Sequence, residues 1–343
     1  MNPVLVEVMR GSAVESVHRG AMAIVDADGA LVQSLGDIDR PVFPRSAVKV
    51  LQALPLVASG AADRLALTDE ELAIACASHN GEAAHVRTAA AMLAKAGVDA
   101  DVLECGAHAP KLEADVRALG LAGAPATALH NNCSGKHAGF VCLACALMGG
   151  PGVGLDLRRF VRGYVEPAHP VMRAVTAALQ ATTGCDLATA PVGTDGCSIP
   201  TFAIPLRALA LGFARVATGQ GLSPDHARAA RRLRTAVANA PFMVAGSGRF
   251  DTLVMQRLGE RVFCKVGAEA VYCAALPELG LGVAIKVDDG NTARAAEVVM
   301  AAVIAARVAL DADEAAFIDG LRRPELRNWN GRLVGCLRPA AVL

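Results

Sequence analysis

The chain has 343 residues, of which 53% are hydrophobic and only 3% aromatic, and its 33 Lys+Arg balance 33 Asp+Glu. The zero net charge argues against a dedicated nucleic-acid binder, which carries a basic excess. With 19% charged residues the composition is not that of a disordered chain.

The elements read in chain order as follows. Residues 4–9, 22–25 and 31–34 have strand character, and Asp26-Ala27-Asp28-Gly29 supplies a hairpin turn between the last two. Pro44 precedes a helix over 46–54, which Pro55 is expected to kink or end. Thr68 and Glu71 form a Thr-x-x-Glu capping box opening a helix to about Ala77. Residues 83–95 form the next helix, closed by Gly97, and a very apolar one covers 137–148. The Gly- and Pro-rich stretch 149–154 reads as a loop. Ser223-Pro224 opens a basic helix to about Asn239. Segments 261–266, 270–276 and 282–287, punctuated by Gly267 and Gly280, form an antiparallel meander, and Thr292 caps a helix to about Leu310. Strands at both ends and helices between them predict an α+β domain. Its antiparallel sheet comes from about 1–40 and 255–290, and its mostly helical middle spans about 45–245.

No low-complexity linker or internal repeat divides the chain, so a single domain over 1–343 is expected. The longest apolar runs, 140–148 and 298–306, fall short of the roughly 20 residues that span a membrane. Glu7 interrupts the position of a secretory h-region. The ten cysteines are too dilute for a disulfide scaffold. They are expected reduced, in a cytoplasmic protein.

Two constellations carry chemistry. The first is Ser46-x-x-Lys49, whose side chains share one helix face. A serine hydroxyl needs a nearby base to act as a nucleophile. An ordinary lysine titrates near 10.4, so reaching about 7–8 takes roughly 4 kcal/mol. One cation about 4 Å away supplies about that much at an effective dielectric near 20. With Ser78-x-Asn80 and Lys265-x-Gly267, the order resembles the three signature elements of penicillin-recognising serine hydrolases. Lys265 would then be the second cation and Ser78 a proton relay. The bland reading of Ser-x-x-Lys is a solvated helix face.

The second constellation pairs Asn131-Asn132-Cys133-Ser134-Gly135-Lys136-His137 with Thr194-Asp195-Gly196-Cys197. Two cysteines in Gly-containing loops, with Asp and His nearby, suit Zn²⁺. The same residues also read as a Cys133 nucleophile with His137 as base, or as two small buried cysteines. Cys142-x-x-Cys145 lies in an apolar run and reads as core. Asp288-Asp289-Gly290-Asn291 reads as a turn before a helix, and Arg228, Arg231, Arg232 and Arg234 as a solvated face.

Together, Phe43 to Lys49, Ser78 to Glu82, Asn131 to His137, Gly193 to Cys197 and Lys265 to Glu269 resemble the Rhizobium etli-type (class 3) L-asparaginases over nearly the whole chain. The resemblance implies hydrolysis of L-asparagine to L-aspartate and ammonia by a homodimer with a serine β-lactamase/glutaminase-like fold. It implies two Ser-Lys pairs, Ser46 with Lys49 and Ser78 with Lys265. It also implies a zinc ion held by Cys133, Lys136 and Cys197, with Asp195 and His137 close by and Arg45 in the substrate pocket. A serine-dependent glutaminase, a β-lactam-type serine hydrolase and a non-catalytic zinc-stabilised binding protein are the competing readings.

Overall fold

β-Branched and aliphatic residues from both ends of the chain build one eight-stranded sheet in the computed structural model, which describes residues 1–152 and 154–343. In chain order the strands are β1 (Val4–Arg10), β2 (Ala13–Asp26), β3 (Leu31–Leu35), β4 (Pro41–Val42), β5 (Val192–Thr194), β6 (Pro200–Phe202), β7 (Ile204–Pro205), β8 (Phe263–Val266), β9 (Val271–Leu276), β10 (Leu281–Val287), β11 (Glu325–Arg327) and β12 (Leu333–Pro339). The large sheet runs β11-β12-β1-β2-β10-β9-β8, with β3 also paired to β2. Helix and antiparallel sheet are thus mixed in one chain, as the patterning predicts. The chain separates into two compact units.

The first unit, Met1–Ala47, Ala203–Thr218 and Cys264–Leu343, holds the large sheet. β2 is long enough to serve three neighbours, β1, β10 and β3. Its first half pairs with β1 (Val6 with His18) and its second with β10 (Leu281 with Asp26), both antiparallel. The hairpin at Asp26–Gly29 is present, with β3 antiparallel to Met22–Val25. The meander is present too, as β8, β9 and β10. Helix Leu206–Thr218 packs its backbone directly on β10 at Gly282, where any Cβ would collide with Ala210 O and Ala214 N. Asn291, not Thr292, caps the C-terminal helical segment, accepting from the Arg294 N–H at 3.1 Å. A π turn, Thr292–Ala296, leads into the α-helix Glu297–Arg307. β11, β12 and helix Ala312–Arg322 lie beyond the predicted elements. β12 finds its partner in β1, the first strand of the chain, so no local pattern announces it.

The second unit, Val48–Phe202 and Gly219–Phe263, is mostly helical. Residues Arg45–Val48 form a 3₁₀ turn, and the α-helix starts only at Lys49. It runs through Pro55 to Ala58. Proline removes its own N–H but leaves its carbonyl, which accepts from the Ser59 N–H at 3.0 Å. Burial of Val50, Leu51, Leu54 and Leu56 on this helix offsets the lost bond. The Thr68/Glu71 capping box is complete, and Glu71 also takes an ion pair from Lys95 at 2.6 Å. Helix Ala83–Lys95 keeps its predicted limits. The apolar helix starts three residues early, as Ser134–Leu147, and is buried on every side through Ala146. A helix apolar all round belongs inside a core, and Cys142 and Cys145 lie within it as free, buried thiols.

Residues 149–152 form the predicted loop, residue 153 lies outside the described residues, and helix Gly154–Phe160 follows. The helix Pro224–Asn239 starts on the Ser223 cap as read. Of its basic residues, Arg228 and Arg231 are exposed, while Arg232 and Arg234 are half-buried. Among the described residues no helix is long and apolar enough to cross a membrane.

Candidate active site

In the first unit, Arg45 and Ser46 sit half-buried in the tight turn closed by the Ala47 N–H to Pro44 O bond of 3.1 Å. Arg45 has φ of +50°, a left-handed conformation that costs a non-glycine residue roughly 1–2 kcal/mol. The neighbouring strand end explains how the turn is held. Gly267, directly after β8, backs onto it so closely that a Cβ there would lie 2.6 Å from Pro44 O and 3.2 Å from Ala47 N. Lys265 and Ser46 therefore sit on two segments in backbone contact. Lys265 is fully buried, and its Nζ donates to Val266 O at 2.7 Å.

In the second unit, Lys49 is also fully buried. Its Nζ donates to Ala77 O, to Asn132 O at 3.3 Å and to Cys133 Sγ at 3.1 Å. The Ala77 carbonyl immediately precedes Ser78, so the amine lies against the segment that carries that serine. Ser78 is buried, and its N–H donates to Val244 O at 2.8 Å.

The two Gly-containing loops meet. Lys136 Nζ donates to Cys197 Sγ at 2.9 Å, and the Cys197 thiol hydrogen-bonds Cys133. That bond, with Lys49 and Lys136 beside it, holds the Cys133 thiol well below its ordinary range despite burial. The same bond and burial push Cys197 up. Burial works against a charged Lys136, but the sulfurs beside it prevail and hold it up at about 12. Half-buried Asp195 adds to that effect and accepts from the Gly196 N–H at 2.7 Å. Asn131 shapes the first loop, accepting from the Cys133 N–H at 2.8 Å and donating to Cys105 O at 2.9 Å.

His137 faces a different partner. Its Nδ1 lies 2.6 Å from the Tyr164 hydroxyl, which accepts from the Glu104 N–H at 2.9 Å. Burial, then Lys136 and Lys49, drives the His137 pKa far down, so the ring is neutral. Its Nε2 is buried with no hydrogen-bond partner among the described residues. Among the described residues no group of three or more His, Cys, Asp or Glu is placed to hold a metal. The converging donors are two sulfurs and the Lys136 amine.

Tyr164, Asn131 and His79 do structural work here that the sequence reading does not assign. His79 lies inside the Ser78-His79-Asn80 segment and was visible there. Tyr164 carries no local signal.

The family model for L-asparaginase II matches residues 6–339, and the chain belongs to that family. No curated protein matches it. A solved structure named "Crystal Structure Analysis of Mglu" shares 16% identity and a TM-score of 0.35 over 81% of this chain. The chain spans 64% of that structure's length.

Proposed function

We propose that the protein hydrolyses L-asparagine to L-aspartate and ammonia through an acyl-enzyme on Ser46. The family match over residues 6–339 carries this reading. The full burial of Lys49 and Lys265, with Lys49 Nζ against the Ala77 carbonyl that directly precedes Ser78, supports their place in the site. In the first half-reaction Ser46 Oγ attacks the side-chain amide carbon, and Lys49 takes the hydroxyl proton. Backbone N–H groups near Ser46 stabilise the oxyanion. The C–N bond breaks as Ser78 and Lys265 pass a proton to the leaving ammonia. Water then attacks the aspartyl ester, releasing aspartate and restoring the Ser46 hydroxyl. Arg45 holds the substrate, while Asp195 and His137 border its amino-acid end.

Zinc belongs to the same reading. The hydrogen-bonded Cys133 and Cys197 with Lys136 Nζ 2.9 Å from Cys197 Sγ form a donor set of the soft-to-borderline kind that zinc takes. Held there, zinc would supply a crosslink between the two loops. Lys136 must lose its proton to bind, so occupancy falls as pH is lowered. A cytoplasmic homodimer with a serine β-lactamase-like sheet and helical layer completes the proposal.

The test is ammonia release by purified protein from asparagine and glutamine, and the colour change of a chromogenic cephalosporin, with Ser46→Ala alongside. Losing the acylating serine is expected to cut kcat on the order of 10⁶-fold. A preference for glutamine or the cephalosporin would transfer the assignment to the corresponding hydrolase. No release at catalytic protein concentrations would leave a binding protein.

A further inference from the structure

The segment that carries Ser78 is held by more than its backbone. Ser78 and Asn80 donate their N–H groups to Val244 O and Ala245 O, at 2.8 and 2.9 Å. Between them the His79 side chain points the other way, fully buried. Its Nδ1 accepts from the Gly81 N–H at 3.1 Å, which puts the ring proton on Nε2. That nitrogen donates to Ser134 Oγ at 3.0 Å. The ring also stacks on His85 at 4.7 Å and 8°, and His85 stacks on Phe242 at 4.8 Å and 12°. Burial, then His85 and Lys49, keeps the His79 ring neutral, so a single tautomer serves both bonds.

Ser134 follows Cys133 directly and opens helix Ser134–Leu147. Lys49 Nζ touches both the Ala77 carbonyl on one side and Cys133 Sγ on the other. One imidazole therefore joins the two segments that meet the Lys49 amine.

We propose that His79 is a positioning residue, fixing Ser78 relative to the Cys133–Ser134 helix start through its Nε2–H bond to Ser134. The proposal rests on the reading of Ser78 as a proton relay. Its action is on the rate of proton transfer, not on substrate capture. A displacement of about 1 Å at a reacting group costs about 100-fold.

Four variants test it: His79→Ala, His79→Gln, Ser134→Ala and the double variant His79→Ala/Ser134→Ala. On asparagine, His79→Ala is expected to lower kcat about 100-fold with KM within about threefold. His79→Gln, whose amide can still donate to Ser134, is expected to recover kcat to within about tenfold of wild type. The double variant is expected to fall no further than His79→Ala alone. A His79→Ala enzyme within threefold of wild type would overturn the proposal, as would equal losses in the Ala and Gln variants with matching falls in melting temperature. Should His79→Ala not fold, Ser134→Ala breaks the same bond and is expected to lower kcat at least tenfold. Crystal structures of wild type and of the soluble variant give a readout independent of substrate. Ser78 is expected to shift by more than about 0.5 Å relative to Ser134, the tolerance of a productive site. An unmoved Ser78 refutes the role even if asparagine proves not to be the substrate, whereas absence of ammonia release in wild type alone refutes only the asparaginase reading.

Discussion

Gly267→Ala probes how the Ser46 turn is held. The added methyl would sit 2.6 Å from Pro44 O and 3.2 Å from both Ala47 N and Ala47 Cβ. Ordinary contact begins near 3.4 Å, so the turn and the strand end must separate by several tenths of an ångström. Overpacking of this kind costs about 1–3 kcal/mol. Alanine at a glycine position also stiffens the unfolded chain, which returns about 0.4–1 kcal/mol. The net expectation is a destabilisation of about 1–2 kcal/mol and a fall in Tm of a few degrees. Activity should suffer more than stability. Both neighbours of the methyl belong to the turn that holds Ser46, the proposed nucleophile, and small misplacements of a reacting group carry up to about 100-fold in rate. The assay is thermal unfolding paired with kcat on asparagine. A variant with unaltered Tm and kcat would refute the claim that this glycine sets the distance between the Lys265 strand end and the Ser46 turn.

Further outcomes follow from other parts of the molecule. Thr68→Ala removes the oxygen that accepts from the Glu71 N–H at 3.3 Å and should cost about 1 kcal/mol in denaturant unfolding, without changing kcat. The proposed zinc site predicts that Cys197→Ser loses the metal, read by metal analysis of chelator-free protein, and equal zinc content in variant and wild type would remove Cys197 from the proposed donor set. His79 is held neutral when folded but protonates near pH 6.5 when unfolded. Below pH 6.5 the unfolded chain therefore binds the extra proton. Stability falls with acidification by up to about 1.4 kcal/mol per pH unit until the folded pKa is reached. His79→Gln should flatten that part of the profile, measured as unfolding free energy from pH 7 to 5.

What could be read in advance tracks how local the cause is. The Thr68/Glu71 box, the Ser223-Pro224 start and the Asp26–Gly29 hairpin each lie within a few residues, and each appears where expected. Pro55 does not end its helix, because tertiary burial of that helix outweighs the lost backbone bond. Thr292 misleads because Asn291, one residue earlier, is the better acceptor for the Arg294 N–H. β12 pairs with β1 across almost the full chain, and Tyr164 meets His137 through a fold no periodicity describes. The Lys49–Cys133 contact joins residues 84 apart, so no local pattern announces it.

On the proposed route Ser46 becomes esterified during turnover. Wild-type protein mixed with asparagine, acid-quenched within the first turnovers and digested, can be read by mass spectrometry. One aspartyl group is expected on the peptide carrying Ser46, absent in Ser46→Ala. An aspartyl group on the Cys133 peptide instead, or ammonia release with no labelled peptide in a quench fast enough to catch the burst, would contradict it.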